Sequence, residues 1–141
     1  MKAFFDTSVL VAVFHADHER HAPSLNAFLK FSRREAAAGT HSLAEVFSTL
    51  TALPGKHRVA PEQAMLFLQT MRERLTLVTP SEDDYYDAID AASARAIAGG
   101  AIYDALLARC AVKIKAETLY TWNVRDFKRL GPEIAERVRT P

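Results

Sequence analysis

The chain has 141 residues, and 18 basic against 17 acidic side chains leave a formal net charge of +1. A composition that is 49% hydrophobic and 25% charged excludes a disordered or collagen-like chain and supplies enough apolar material for a core. The single cysteine excludes a disulfide framework, and no apolar run is long enough to cross a membrane. We therefore expect one domain over residues 1–141 and a cytoplasmic location.

The N-terminal part of the chain predicts a strand followed by two helices. Residues 3–5 form a short apolar run, and Asp6-Thr-Ser follows it directly. This pattern indicates a buried strand and then a helix N-cap. The helix continues from Val9 to about Phe14. Pro23 suits the first turn of a second helix, because proline lacks the amide hydrogen that a first turn leaves unpaired.

The middle of the chain predicts two further pairs of strand and helix. Residues 39–42 are a weak strand candidate, followed by a helix whose apolar positions recur as far as Leu50. After a turn at Pro54-Gly, Pro61 opens another helix. Residues 75–79 are a clean strand that the next proline ends.

The C-terminal part predicts two helices, a strand and a short final unit. Ser81 caps an acidic helix whose early carboxylates suit the positive end of the helix dipole, and we interpret residues 82–90 as a solvated face. A strongly apolar helix follows over residues 101–112, and residues 118–122 are a strand. Residues 134–138 supply a last helical turn and an edge strand.

The alternation of short apolar strands with helices predicts an α/β protein with a parallel sheet covered on both faces. In such sheets, ligands bind at the carboxyl ends of the strands. Residues that directly follow strands are therefore the first candidates for a functional site.

Four acidic residues are expected near this edge of the sheet: Asp6, Glu45, Asp104 and Asp126. Taken singly, Asp6 can be a helix cap, while Glu45 and Asp126 can be solvated surface acids. Asp104 interrupts an apolar helix, and a buried carboxylate is costly unless it is paired or bound to a metal. Four acids at one edge would repel each other strongly, so together they indicate a site that cations neutralise.

Carboxylate oxygens favour hard divalent cations such as Mg²⁺, which also bind substrate phosphates. Paired ions of this kind can support an in-line displacement at phosphorus. Without the four acids, 18 basic side chains face 13 acidic ones, a balance compatible with binding a phosphate backbone.

Four motifs in order resemble a PIN-domain nuclease, and more closely the toxins of bacterial VapBC toxin–antitoxin pairs. They span nearly the whole chain and read Asp6-Thr-Ser, Leu43-Ala-Glu-Val-Phe, Gly100-Ala-Ile-Tyr-Asp-Ala-Leu-Leu and Thr121-Trp-Asn-Val-Arg-Asp-Phe. The resemblance implies a three-layer α/β/α sandwich with a short parallel sheet. It also implies a homodimeric endoribonuclease that depends on Mg²⁺ or Mn²⁺, cleaves RNA, and is inhibited by a cognate antitoxin protein.

By motif position, the resemblance makes Asp6 and Asp104 the central metal ligands. Glu45 and Asp126 then complete the acidic catalytic set. Ser8 and Asn123 are supporting polar groups, and some relatives carry an acid at the position of Asn123. The resemblance therefore leaves open whether Asp126 or Asn123 fills the fourth position of the site.

Two other functions are compatible with the same fold. A phosphatase that forms a phosphoaspartate usually shows Asp-x-Asp after the first strand, but the third residue here is Ser8. A non-catalytic RNA-binding or scaffold domain would have little use for four acids at one edge.

Several other features have simple structural interpretations. His15, His18 and His21 are expected to be solvated histidines at a helix end, because no cysteine or further histidine completes a ligand set. Cys110 and Trp122 are expected in the core. Four apolar residues can either form a partner surface or pack in the core: Leu50, Leu53, Leu66 and Phe67.

Overall fold

Five parallel strands form the centre of the protein, in the spatial order β3-β2-β1-β4-β5. The computed structural model describes residues 1–141. The strands are β1 Ala3–Phe5, β2 Ala36–Gly39, β3 Thr76–Val78, β4 Thr118–Tyr120 and β5 Val138–Arg139. The last of them is the edge strand that the sequence predicts next to a helical turn.

Eight α-helices connect and cover the strands. They are α1 Thr7–Phe14, α2 His21–Lys30, α3 His41–Thr51, α4 Pro61–Arg74, α5 Glu82–Ala94, α6 Ile102–Lys113, α7 Val124–Lys128 and α8 Pro132–Ala135. Two single 3-10 turns lie at Gly55–His57 and Gly99–Ala101. No helix is long and apolar enough to serve as a transmembrane span.

The sheet has a core on each face, because successive strand side chains point to opposite sides. Ala3 and Phe5 of β1 pack with residues of α1 to α4 on one face. Phe4 between them packs with α6, α7 and α8 on the other, and α5 packs against α6. This is the predicted three-layer α/β/α arrangement, and Cys110 lies in the second core as expected.

The second strand lies earlier in the chain than its sequence predicts. Residues 39–42 were the expected strand, but β2 occupies Ala36–Gly39, and α3 already begins at His41. Alanine has low strand propensity, so the sequence signal is poor. All four residues of β2 are buried between two neighbouring strands, and that position in the sheet overrides their local preference.

The acidic helix α5 is not solvated along its whole face. Ser81 caps it as predicted, and Asp84 completes a capping box by accepting a hydrogen bond from the Ser81 amide at 2.8 Å. Asp84 is nevertheless buried, and its Oδ2 lies 2.6 Å from Nζ of Lys113 on α6. This ion pair ties the helix to its neighbour, a contact that composition alone does not reveal.

Candidate functional site

The strand order changes direction beside β1, and this creates the crevice in which the candidate site lies. From β1 the chain moves through β2 and β3 on one side and returns to β4 and β5 on the other. Ligands of open α/β sheets bind at such a switch point, at the carboxyl ends of the strands. Phe5 and Tyr120 are paired in register there, so Asp6 and Thr121 follow them side by side.

Asp6 is held rigidly by three hydrogen bonds to one of its two carboxylate oxygens. Oδ2 accepts from the Ser8 hydroxyl at 2.7 Å, the Thr121 hydroxyl at 2.8 Å and the Ser8 amide at 3.3 Å. The residue is only 1% exposed. It therefore caps α1, as predicted, while Oδ1 takes no part in these three bonds.

Glu45 reaches the same cleft from α3, and contacts between helix N-termini position it. The Thr7 hydroxyl at the start of α1 donates to Glu45 Oε1 at 3.0 Å and lies 2.9 Å from the Ser42 hydroxyl. His41 Nε2 lies 3.9 Å from the same Glu45 oxygen. Since α3 begins at His41, Glu45 stands in the second turn of the helix.

Asp104 enters the cleft from the first turn of α6. Its side chain lines one cavity together with Asp6 and Glu45. Asp126 on α7 does not line this cavity and is exposed, but its charge acts on Asp104. The structure thus brings three of the four predicted acids to one cleft and places the fourth at its margin. Asn123 lines the cleft in this region.

The electrostatics of the cleft disfavour full ionisation of its acids. Burial raises the pKa of Asp6 and also that of Glu45. The pKa of Asp104 is raised to about 7, first by burial and then by the negative charges of Asp6, Asp126 and Glu45. Like charges held together in a partly desolvated site raise one another's pKa in this way.

The donor set fits a hard divalent cation. Asp6, Glu45 and Asp104 offer carboxylate oxygens, as does Glu19, the fourth acid that lines the cleft. No cysteine lines it, and His18 is the one histidine that does. Mg²⁺ and Mn²⁺ prefer oxygen donors and keep positions for water and phosphate oxygens. Positive charge placed between Asp6 and Asp104 would remove the repulsion that raises the Asp104 pKa.

One wall of the cleft combines a cation with an aromatic ring. The Arg20 guanidinium lies 4.5 Å from the ring centre of Trp122, and both side chains line the cavity. A hydrogen bond holds the Trp122 ring in place, since its Nε1 donates to the Ser24 hydroxyl at 2.9 Å. Trp122 packs against the first core, as the sequence predicts, but it is only partly buried and also lies beside the acids. An arginine and a tryptophan together suit phosphate binding and base stacking.

Several positioning residues do not stand out in the sequence. Thr121 and Thr7 hold Asp6 and Glu45, and sequence reasoning assigns neither hydroxyl a role. The rule that selects Asp6, a polar residue directly after a strand, applies equally to Thr121. Ser8 is the supporting polar group that was expected, since its hydroxyl also accepts from the Trp122 amide at 3.0 Å.

The sequence leaves open whether four apolar residues form a partner surface or pack in the core, and most of them pack inside the protein. Leu50 is fully buried, and Leu53 and Phe67 pack against the first core. Leu66 alone is largely exposed, beside exposed Met65. A partner surface built on this set is therefore confined to the outer face of α4.

Comparison with known proteins finds one matching family and relatives that match most of the chain. The profile of the PIN domain matches residues 3–131. The ribonuclease VapC40 of Mycobacterium tuberculosis is 34% identical over 143 aligned residues, which cover 95% of this chain and 92% of that protein.

Solved structures share the same fold. The crystal structure of Mycobacterium tuberculosis VapC20, a toxin that cleaves the sarcin-ricin loop, superposes with a TM-score of 0.73 at 15% identity, covering 89% of this chain and 92% of the other. VapBC2 from Rickettsia felis, bound to a DNA fragment from its promoter, gives a TM-score of 0.66 at 20% identity over 99% and 98% of the two chains. At these identities, the likeness is one of fold.

Proposed function

The chain belongs to the PIN-domain family, and on that premise we propose that it is a divalent-metal-dependent endoribonuclease, the toxin of a toxin–antitoxin pair. We propose further that residues 1–141 act as a single nuclease domain in the cytoplasm. The observation that carries the proposal is the meeting of Asp6, Glu45 and Asp104 in one cleft at the switch point of the sheet. A ribonuclease name for a relative that matches 95% of the chain supports it.

In this proposal, Asp6 and Asp104 hold Mg²⁺ or Mn²⁺, with Glu45 and Asp126 completing the acidic set. When bound, the ion activates water and neutralises charge on the scissile phosphate. Asp6 presents a fixed oxygen, because Ser8 and Thr121 anchor the other one.

The remaining residues of the cleft bind the RNA and orient it. The Arg20 guanidinium offers charge to a phosphate, and the exposed part of the Trp122 ring beneath it offers an apolar contact to a nucleotide. Both lie on the wall beside the acids, so the RNA backbone can pass over the carboxylates while contacting this pair.

We propose two protein partners as well, a second copy of this chain and a cognate antitoxin. The support is the fold shared with VapBC2 from Rickettsia felis. Exposed apolar side chains such as Leu66 and Met65 on α4 are available for such contacts.

The proposal is tested by removing single charges from the cleft without changing side-chain shape. Asp6→Asn and Asp104→Asn should each lower the rate of RNA cleavage by orders of magnitude in the presence of Mg²⁺ or Mn²⁺. Cleavage is measured on a labelled RNA with purified protein, and circular dichroism verifies the fold of each variant.

Asp90→Asn is the matched control, because Asp90 is an exposed acid on α5 away from the cleft. It should cleave at the wild-type rate. Wild-type cleavage by either cleft variant would contradict the proposal. A folded wild-type protein that binds RNA without cutting it, with either metal, would favour the non-catalytic alternative. Hydrolysis of a phosphate monoester instead of RNA would favour a phosphatase.

A further inference from the structure

A second group of metal-ligating side chains lies outside the acidic cleft. His15 is the C-cap residue just after α1, Asp17 follows it in the loop to α2, and His57 ends the 3-10 turn after α3. One ligand atom from each lies within 4.8 Å of the other two. His57 comes 42 positions after His15 in the chain, so only the fold reveals that a second imidazole completes the group.

The separation between two of these ligand atoms suits a tetrahedral ion. Zinc bonds to nitrogen and oxygen of about 2.0–2.2 Å place neighbouring ligand atoms roughly 3.3 Å apart in a tetrahedron. His57 Nδ1 and Asp17 Oδ2 are 3.4 Å apart. The Asp17 side chain is 74% exposed, so it can move toward an ion held by the two imidazoles.

A simple ion pair between His57 and Asp17 leaves one feature unexplained. His15 Nε2 is buried and has no hydrogen-bond partner, although an unpaired buried polar atom is costly. The His15 and His57 rings lie with their centres 5.3 Å apart. A metal ion held by His15 through Nε2 would give this nitrogen a partner.

We propose that His15, Asp17 and His57 form a binding site for Zn²⁺, separate from the acidic cleft. Two imidazoles and one carboxylate suit zinc rather than Mg²⁺, because imidazole nitrogen is a softer donor than the oxygens that magnesium requires. Three protein ligands leave a fourth position open to solvent.

The site would act on the cleft through the chain that connects them. Loop residues 15–20 join α1 to α2, and His18, Glu19 and Arg20 in this loop line the acidic cleft. Zinc would tie this loop to the turn after α3 and so fix the wall that carries Arg20.

Zinc binding is measured by calorimetry with ZnCl₂ alone, in an Asp6→Asn/Asp104→Asn background that removes the competing carboxylates. We expect one equivalent of Zn²⁺ to bind. Adding His57→Gln should weaken the affinity at least about tenfold, since even indirect partners of a metal contribute that much. Adding His18→Gln is the matched control and should leave the affinity unchanged, because His18 is a nearby histidine outside the group.

No binding in the background variant, equal binding after His57→Gln, or equal loss after His18→Gln would overturn the site. Histidine NMR of the wild-type protein in excess Mg²⁺ is the second measurement and does not depend on the background variant. Zinc should shift the ring signals of His15 and His57 and leave His41, beside Glu45, unchanged. A shift of His41 alone would place the zinc in the acidic cleft and refute the proposal, whatever the outcome of the nuclease test.

Discussion

The surroundings of Asp104 strongly disfavour its ionised form. Its pKa is raised to about 7 by burial and by three neighbouring carboxylates. No cationic side chain forms an ion pair with it within the structure, although Arg129 partly opposes the shift. A group that destabilises the metal-free fold in this way is typical of a functional site.

We therefore predict that Asp104→Asn stabilises the metal-free protein while it abolishes cleavage. Removing one negative charge relieves the repulsion, so the free energy of unfolding at pH 8 should rise by on the order of 1 kcal/mol. The measurement is urea unfolding in EDTA. Asp90→Asn should leave the stability unchanged, and a clear loss of stability in Asp104→Asn would contradict the repulsion among the carboxylates of the cleft.

At the scale of single residues, the sequence predicts the acids of the cleft but not the hydroxyl groups that hold those acids in place. Asp6 and Asp104 were recognisable because one follows a strand and the other interrupts an apolar helix. The threonine contacts depend on side chains from different elements meeting at one edge, as Thr121 meets Asp6. That meeting is set by strand order, which single-residue patterns do not encode. Asp126, which the sequence assigns to the same acidic set, lies at the margin of the cleft, and its place in the set stays a prediction.

At the scale of elements, β2 and α6 approach each other unusually closely. A Cβ placed on Gly39 would lie 2.5 Å from Cδ2 of Leu107, and Leu107 is itself 1% exposed in the second core. Only glycine allows α6 to pack this closely on the strand. The position of α6 in turn sets the position of Asp104 at its first turn.

Gly39→Ala should therefore destabilise the protein by about 1–3 kcal/mol, the usual cost of overpacking a filled core. Thermal or urea unfolding measures the effect. Gly100→Ala is the matched control, because a Cβ at Gly100 meets no atom within 4 Å. Equal stability of the two variants would contradict the close packing of α6 on β2.

Asp84 links α5 to α6 and gives a prediction on pH. Two hydrogen bonds lower the pKa of Asp84 well below its usual range. The one from the Lys113 ammonium has the larger effect, and the one from the Ser81 amide comes next. A carboxyl whose folded pKa is depressed stabilises the fold above its unfolded pKa of about 3.9, and this contribution is lost as the pH falls further.

Asp84→Asn should lower the free energy of unfolding by about 1 kcal/mol at pH 7, the usual net worth of a hydrogen bond, and the difference from wild type should shrink below about pH 4. Urea unfolding between neutral and acid pH measures both. Asp83→Asn removes an exposed acid from the same helical turn and should have a smaller effect. A deficit for Asp84→Asn that grew in acid would contradict a lowered pKa for Asp84 in the folded protein.

The elements that the sequence predicted well are those with strong local signals. The cap at Ser81 and the strand before it carry such signals, and both lie within a residue or two of their predicted places. The strand Ala36–Gly39 carries no such local signal. Its buried alanines allow close packing on both faces of the sheet, but alanine does not favour the extended conformation.

At the scale of the whole molecule, the topology assembles the site. Strands β1 and β4 are neighbours although more than a hundred residues separate them. Their adjacent carboxyl ends, together with the N-terminal part of α3 and the start of α6, surround one cleft. The near-neutral net charge of the chain hides this local excess of negative charge.

The central claim is that Asp6 and Asp104 share one divalent cation. Crystals of the protein soaked in MnCl₂ test it most directly, because manganese gives an anomalous signal at its own position. We predict one anomalous peak in contact with carboxylate oxygens of both residues, absent from crystals of Asp104→Asn. A wild-type crystal with no manganese bound between Asp6 and Asp104 would contradict the claim.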